Sequence, residues 1–144
     1  MTSSEKTHET IEAYAKAWAT GDKELLLSIF AEDAIWHDPV GTPPFKGLKG
    51  VEKFWDFSHQ DSARQLTPVV HEIITCGNEG ILRFTMQVRI PNLNQGLDMS
   101  IIDYFQVNDD GKITTAKAFW DRTKITAPEG MQIFLPNIDE AYEK

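Results

Sequence analysis

Strict alternation of apolar and polar residues between Leu82 and Ile90 constrains the fold of this chain more than any other feature. Because successive side chains of a strand point to opposite faces, the pattern predicts a strand with one buried face. Further β-rich segments are predicted at 66–76, 97–107 and 112–122, separated by loops and turns rich in Gly, Asn and Asp. Strands connected in this way form antiparallel neighbours most easily.

The N-terminal half has the helical period instead. A helix is predicted over 5–20, and a second helix, with Asp22 as its N-cap, presents apolar residues as far as Phe30. A short strand at 34–38 precedes a third helix at about 48–58. Helices followed by a meander of strands predict an α+β domain, in which the N-terminal helices pack on one face of a curved, mostly antiparallel sheet.

Composition narrows the class of protein. The chain has 144 residues, 22 Asp plus Glu against 14 Lys plus Arg, and a formal net charge of −8, which disfavours nucleic acid and anionic membrane surfaces as partners. Its single cysteine, Cys76, cannot form an internal disulfide, and no apolar run approaches the ~20 residues of a membrane span. We therefore expect one soluble, cytoplasmic domain over 1–144, with a C-terminal extension at about 125–144.

Asp103 is the anomaly in the strand predicted at 97–107. It is the only ionisable group on a face that otherwise carries Leu97, Met99, Ile101, Phe105 and Val107. Burying a carboxylate without a cation is costly, and a raised pKa that keeps the group neutral is the usual escape. A neutral carboxylic acid donates a hydrogen bond. The alternation alone leaves a structurally paired aspartate equally open.

Asp38 and Tyr14 are two further polar groups on inward-facing positions. Asp38 shares a face with Trp36 and comes directly before a turn at Pro39, where an ordinary turn aspartate is the simpler interpretation. Tyr14 lies on the apolar stripe of the first helix, where most tyrosines are core residues. Together with Asp103, these two residues form a set of groups suited to proton transfer. A carboxylate base and two neutral donors in one apolar cavity could remove a proton next to a carbonyl and stabilise the resulting oxyanion.

Five segments carry a resemblance to bacterial ketosteroid isomerase (steroid Δ-isomerase), within the nuclear-transport-factor-2-like (NTF2-like) or SnoaL-like superfamily. They are Tyr14 to Asp22, Phe30 to Ala34, Asp38 to Gly41, Ile102 to Phe105 and Ala118 to Trp120. The similarity covers about residues 8 to 123. It implies a conical α+β barrel of the NTF2-like or cystatin-like type and a homodimer. It also assigns Asp38 as the catalytic base, and Tyr14 and Asp103 as the two donors of an oxyanion hole.

The reaction that this resemblance implies moves a β,γ double bond into conjugation with a ketone. Asp38 takes a proton from the carbon between the carbonyl and the alkene, giving a dienolate, and returns it at the γ carbon. We expect no cofactor and no metal, since the four histidines show no metal-ligand spacing.

The expected substrate is an apolar, fused-ring, steroid-like small molecule. The large inward residues expected to bind it are Trp18, Phe54, Trp55, Phe84, Met86, Val88, Met99, Ile101, Phe105 and Trp120. About half of such residues are expected to be core rather than cavity wall, because protein interiors are densely packed.

The chain departs from the family pattern at several points. Phe30 and Trp55 stand where some members place tyrosines that support the oxyanion hole. The loop at 91–96 and the C-terminal extension are longer than in compact members, and either could cover the cavity. The extension carries an apolar patch at 131–135 that we expect to dock on the domain.

Two other functions remain open at this point. One keeps the fold and an Asp base but is a SnoaL-like cyclase, dehydratase or hydrolase acting on a polycyclic or terpenoid substrate. An epoxide hydrolase of the known type needs an arginine between two acids, whereas Arg83 and Arg89 are predicted on the outer face of the sheet. The other is a non-catalytic module that binds a small molecule, since one common fold often serves many unrelated functions.

Overall fold

The computed structural model describes residues 3–135 and 141–142. Its helices are α1 (Ser4–Thr20), α2 (Lys23–Ser28) and α3 (Gly47–Ser58). Its strands are β1 (Phe30–His37), β2 (Phe45–Lys46), β3 (Gln65–Cys76), β4 (Glu79–Ile90), β5 (Gln95–Val107), β6 (Ile113–Phe119) and β7 (Gln132–Ile133). Short 3₁₀ turns cover Pro91–Leu93 and Arg122–Lys124.

The strands of the described residues form one sheet in the order β2-β1-β6-β5-β4-β3, with β7 added beside β5. Neighbours are antiparallel except β1 with β6 and β5 with β7. Helix α1 packs against β3 and β4, and α3 packs against β1 and β2. The α+β class and the mostly antiparallel sheet covered by N-terminal helices are thus confirmed.

Local sequence signals explain where α1 and α2 begin and end. The Ser3 side chain accepts a hydrogen bond from the Lys6 amide at the start of α1. Gly21 then adopts the left-handed conformation (φ 66°) that ends helices. The Asp22 side chain accepts from the Leu25 amide at 3.0 Å and so caps α2, as predicted. Within the described residues, no helix combines the length and the apolar character that crossing a membrane requires.

Several boundaries differ from the sequence prediction, and two short strands are additional. Phe30 begins β1 instead of continuing α2, because it pairs with Ile113, whose amide donates to the Ile29 carbonyl at 2.7 Å. The last long strand ends at Phe119 because the Asp121 side chain caps the following 3₁₀ turn. Strands β2 and β7 were not predicted, since two residues are too few to show a period.

The alternation on β5 is confirmed in its C-terminal half. Burial alternates from Ile101 to Val107, and Asp103 is only 2% exposed. On the paired strands, Asp103 lies opposite Leu82 of β4 and Ala118 of β6. The carboxyl is therefore set in the apolar inner face of the sheet.

Candidate active site

A cavity of about 280 Å³ lies between the helices and the inner face of the sheet. This volume is near the lower end of the ~300–1,000 Å³ of typical ligand pockets. Its wall is mainly apolar and comes from α1, α3, three strands and the C-terminal extension. The lining residues are Tyr14, Trp18, Asp38, Phe54, Phe57, Ser58, Arg64, Leu66, Phe84, Met86, Val88, Leu97, Met99, Ile101, Trp120, Arg122, Ile125, Phe134 and Leu135.

Asp38 enters this cavity from the end of β1, and its side chain is held by Trp120. The indole Nε1 donates to Asp38 Oδ1 at 2.9 Å. The main chain after Asp38 is tied to β6 by the Val40 amide, which donates to the Ala118 carbonyl at 3.0 Å. The Tyr142 hydroxyl donates to the Asp38 main-chain oxygen. The carboxyl therefore has a fixed place at the cavity wall.

Burial raises the pKa of Asp38 to about 7, and the Trp120 hydrogen bond opposes part of that rise. Removal from water destabilises the charged form, whereas an N–H donor stabilises it. A carboxyl with a pKa near neutrality can both take up and return a proton at physiological pH.

Asp103 and Tyr14 form a second polar group next to Asp38. Burial, and then the negative charge of Asp38, raise the pKa of Asp103 well above its usual value, while a side-chain hydrogen-bonding interaction with Tyr14 lowers it in part. Burial, Asp103 and Asp38 together raise the pKa of Tyr14. Asp103 Oδ1 has no hydrogen-bond partner among the described residues, which favours the neutral acid over an anion. Both groups therefore favour their protonated forms at neutral pH.

The two donors differ in their access to the cavity. Tyr14 is part of the wall, whereas Asp103 is not among the lining residues and contacts the cavity through Tyr14. The apolar–polar alternation of β5 predicts the face of the sheet on which Asp103 lies. It does not predict how far the side chain lies from the cavity.

Rings on three sides hold the Tyr14 side chain. Phe105 packs on it edge-on, with 4.8 Å between ring centroids, and the rings of Trp18, Phe30 and Trp36 lie at 6.2–6.4 Å. Such edge-to-face contacts restrict the tyrosine to one orientation.

Eight of the ten residues expected to bind substrate line the cavity, and Trp55 and Phe105 do not. The eight are Trp18, Phe54, Phe84, Met86, Val88, Met99, Ile101 and Trp120. Trp55 is 4% exposed and lies behind the wall, where it packs on Trp18 at 4.7 Å between ring centroids. Phe105 is fully buried against Tyr14. Both are core residues that support wall residues.

Sequence reasoning missed nine lining residues, and some of them carried a usable signal. Leu97 shares the inward parity of Met99 on β5, and Phe57 lies one helical turn after Phe54. Leu66, the polar lining residues and the lining residues on loops follow no helical or strand period in the sequence. The missed residues are Phe57, Ser58, Arg64, Leu66, Leu97, Arg122, Ile125, Phe134 and Leu135.

The C-terminal extension runs along the cavity. Strand β7 pairs with β5 at Gln95 and Gly96, and the Phe134 amide donates to the Gly96 carbonyl at 3.0 Å. A Cβ on Gly96 would lie 2.9 Å from the Val88 carbonyl oxygen and 3.3 Å from Met131 Sδ. A residue without a side chain is therefore needed here first for the close approach of β4, and the extension benefits from the same space.

Charged side chains are distributed unevenly between the two faces of the sheet. On the outer face, Arg83 pairs with Glu72 at 3.6 Å and Arg89 pairs with Asp98 at 2.8 Å, so neither lines the cavity. Arg64, however, does line it from a loop. In the described ranges, no three His, Cys, Asp or Glu side chains are grouped so that they could hold a metal ion.

Comparisons with known proteins agree with this architecture. A steroid Delta-isomerase from Nocardioides simplex is 26% identical over 110 residues, which are 76% of this chain and 85% of that protein. The crystal structure of RV0760c from Mycobacterium tuberculosis superimposes with a TM-score of 0.75 and 20% identity, over 89% of this chain and 99% of that one.

Two other similar structures are of enzymes with different chemistry. SalBIII, an epoxide hydrolase/cyclase-like enzyme of pyran ring formation in salinomycin, has a TM-score of 0.78 and 22% identity, over 89% of this chain and 100% of its own. An LEH-like epoxide hydrolase of M. tuberculosis has a TM-score of 0.70 and 18% identity, over 82% and 84%. At these identities the structures establish the fold. The model of the SnoaL-like domain matches residues 11–116, so this chain belongs to the SnoaL-like domain family.

Proposed function

We propose that this protein is a cofactor-independent isomerase that converts a Δ5-3-ketosteroid, or a closely related β,γ-unsaturated ketone, into its conjugated isomer. The observation that carries the proposal is the meeting of Asp38 and Tyr14 at one apolar cavity, with Asp103 in contact with Tyr14. The likeness to a steroid Delta-isomerase supports the same chemistry.

Asp38 is the base in this proposal. Its carboxylate removes the proton from the carbon between the ketone and the alkene, and the electron pair of that C–H bond moves into a dienolate. The protonated Asp38 then delivers the same proton to the γ carbon. A pKa near 7 matches this double role, because the group must lose and regain the proton at similar cost.

Tyr14 and Asp103 stabilise the dienolate oxygen in series. When substrate binds, the Tyr14 O–H turns from Asp103 to the substrate oxygen in the cavity, and the protonated Asp103 then donates to the Tyr14 oxygen. Negative charge on that oxygen strengthens both hydrogen bonds, so they stabilise the intermediate more than the ketone. Because Asp103 lies outside the cavity wall, it acts here through Tyr14.

The test is turnover of a Δ5-3-ketosteroid by the purified protein, followed by the absorbance of the conjugated enone. We expect rapid formation of the enone by the natural sequence and by Asp33→Asn, an exposed aspartate that serves as the matched control. The proposal fails if the natural protein is no faster than Asp38→Asn. Binding of the steroid without turnover would instead favour the non-catalytic module.

Epoxide hydrolysis or cyclisation is the second candidate. The observation that favours it is Arg64 at the cavity wall, together with the likeness in fold to an epoxide hydrolase and to a hydrolase/cyclase-like enzyme. Incubation with a terpenoid hydroxy-epoxide in H₂¹⁸O would give a labelled diol if the protein hydrolyses epoxides and an unlabelled cyclic ether if it cyclises them. Unchanged epoxide is expected if the isomerase proposal is correct.

A homodimer is the assembly we propose. On the outer face of the sheet, Val40, Ile102 and Phe119 are 45%, 41% and 50% exposed and line a shared hollow. Apolar side chains grouped in this way are typical of a protein interface. Sedimentation velocity should give a dimer for the natural sequence and a monomer for Phe119→Glu. The control Ile74→Glu, at an equally exposed position outside the hollow, should remain dimeric.

A further inference from the structure

Arg64 is the least expected member of the cavity wall. It lies between α3 and β3, and its guanidinium faces a wall that is otherwise mostly apolar. Its Nη1 donates to the Ser58 carbonyl at 3.2 Å, and its Cζ lies 5.0 Å from the centroid of the Phe134 ring. Its Nε is buried and has no hydrogen-bond partner among the described residues.

Sheet register puts Arg64 at the opposite end of the cavity from Asp103. Leu66, Val88 and Leu97 lie side by side on β3, β4 and β5, and Arg64 precedes Leu66 by two residues. Leu97 and Asp103 are six residues apart on β5, which corresponds to roughly 20 Å of strand. A ketone at Tyr14 would therefore leave the far end of a long substrate near Arg64.

No acidic side chain of the described residues forms an ion pair with Arg64. Burial lowers the pKa of its guanidinium, and the only opposing charge is that of Asp61. An arginine carries five N–H donors in a planar fork that matches a carboxylate, and a buried donor without a partner is costly. A bound acidic group would provide the partner that the described residues do not supply.

We propose that Arg64 binds a carboxylate at the end of the substrate opposite the ketone. This inference rests on the proposed function for the position of the ketone. It narrows the substrate class to steroid-like ketones whose side chain ends in a carboxylic acid. Phe134 packs on the half-buried guanidinium and shields one side of the ion pair from water, which strengthens it.

A measurement of equilibrium binding tests the carboxylate site without requiring that the protein be catalytically active. The probes are two conjugated 3-ketosteroids that differ only in the side chain, which ends in a carboxylate in one and in its methyl ester in the other. Quenching of Trp18 and Trp120, which line the cavity, reports binding of either compound without turnover. We expect the natural protein to bind the acid at least about tenfold more tightly than the ester.

Arg64→Gln should lose this preference while its affinity for the ester changes less than about threefold. Arg64→Lys keeps a positive charge and should retain part of the preference, and it serves if the glutamine variant does not fold. The control Lys16→Gln removes one positive charge from the exposed side of α1 and should behave as the natural protein does.

Two results would overturn the inference. One is equal affinity of the natural protein for acid and ester. The other is an equal loss of both affinities in Arg64→Gln, which would assign Arg64 to packing under Phe134. If the acid preference depends on Arg64 but no ketosteroid is isomerised, the carboxylate site stands and the proposed function fails.

Discussion

Asp38 and Asp103 are both buried beside the same cavity, and burial raises the pKa of both, yet the groups around the two carboxyls differ. Asp38 accepts a hydrogen bond from the Trp120 indole, which stabilises its anion. Asp103 has one oxygen without a partner among the described residues and feels the charge of Asp38, so its neutral form is favoured. Burial alone does not decide the role of a carboxyl group. The role of the group also depends on the hydrogen-bond donors that face it and on the charges near it.

Replacing each of the two carboxyls by an amide should distinguish their roles most clearly. Asp38→Asn removes the base and should lower kcat for the Δ5-3-ketosteroid by about 10⁴-fold. Asp103→Asn keeps a neutral donor next to Tyr14 and should lower kcat by less than about tenfold. Steady-state kinetics on both variants check this, and equal losses would contradict the assignment of opposite roles.

Stability should respond to pH through Asp38. Its raised pKa means that the folded protein binds more protons than the unfolded chain between about pH 4 and pH 7, so the contribution of this group to stability falls as pH rises through that window. Asp38→Asn removes this cost. As the pH is raised from 4 to 8, its free energy of unfolding should increase by up to roughly 4 kcal/mol relative to that of the natural protein. Urea unfolding at both pH values measures the gain. Asp33→Asn, at an exposed position, should show none.

The arrangement of donors in series gives a third test. Tyr14→Phe removes the donor that faces the cavity and should lower kcat by roughly 10²–10³-fold with little change in KM. Asp103→Leu should cost less, because Tyr14 can still donate without its partner. If Asp103→Leu proves more damaging than Tyr14→Phe in a folded protein, Asp103 donates to the substrate directly.

The smallest effect concerns the hydrogen bond from Trp120. In the natural protein, kcat/KM should rise with pH and level off above about 7, as Asp38 loses its proton. Trp120→Phe removes a donor that stabilises the anion, so the rise should move to higher pH by about one pH unit. A pH profile that does not move would show that Trp120 serves only as a wall.

Sequence reasoning predicted the face of Asp103 because successive side chains of a strand point to opposite faces. The turn after Asp38 favoured an ordinary turn aspartate instead, and only the family resemblance singled out Asp38 as a base. Seven of the eight expected residues that line the cavity lie on helices or strands, where the period of the sequence predicts the inward face, and Trp120 directly follows β6. Arg64 and Phe134 were not found because they lie on a loop and on the C-terminal extension, where position depends on tertiary contacts. The place of Asp103 behind Tyr14 also depends on packing in three dimensions, which parity does not encode.

Gly96 has a consequence for how this family diversifies. The extension is attached to β5 through main-chain hydrogen bonds at Gln95 and Gly96, so its own side chains are free to vary without loss of the attachment. Its residues form the wall near Arg64, while the base and donors come from other elements. Substrate preference can therefore change through Phe134 and Leu135 without a change in the base or the donors, as long as Tyr142 keeps its hydrogen bond to the Asp38 main-chain oxygen. A bulky residue in place of Gly96 should disturb the pairing of β4 with β5 as well as the docking of the extension.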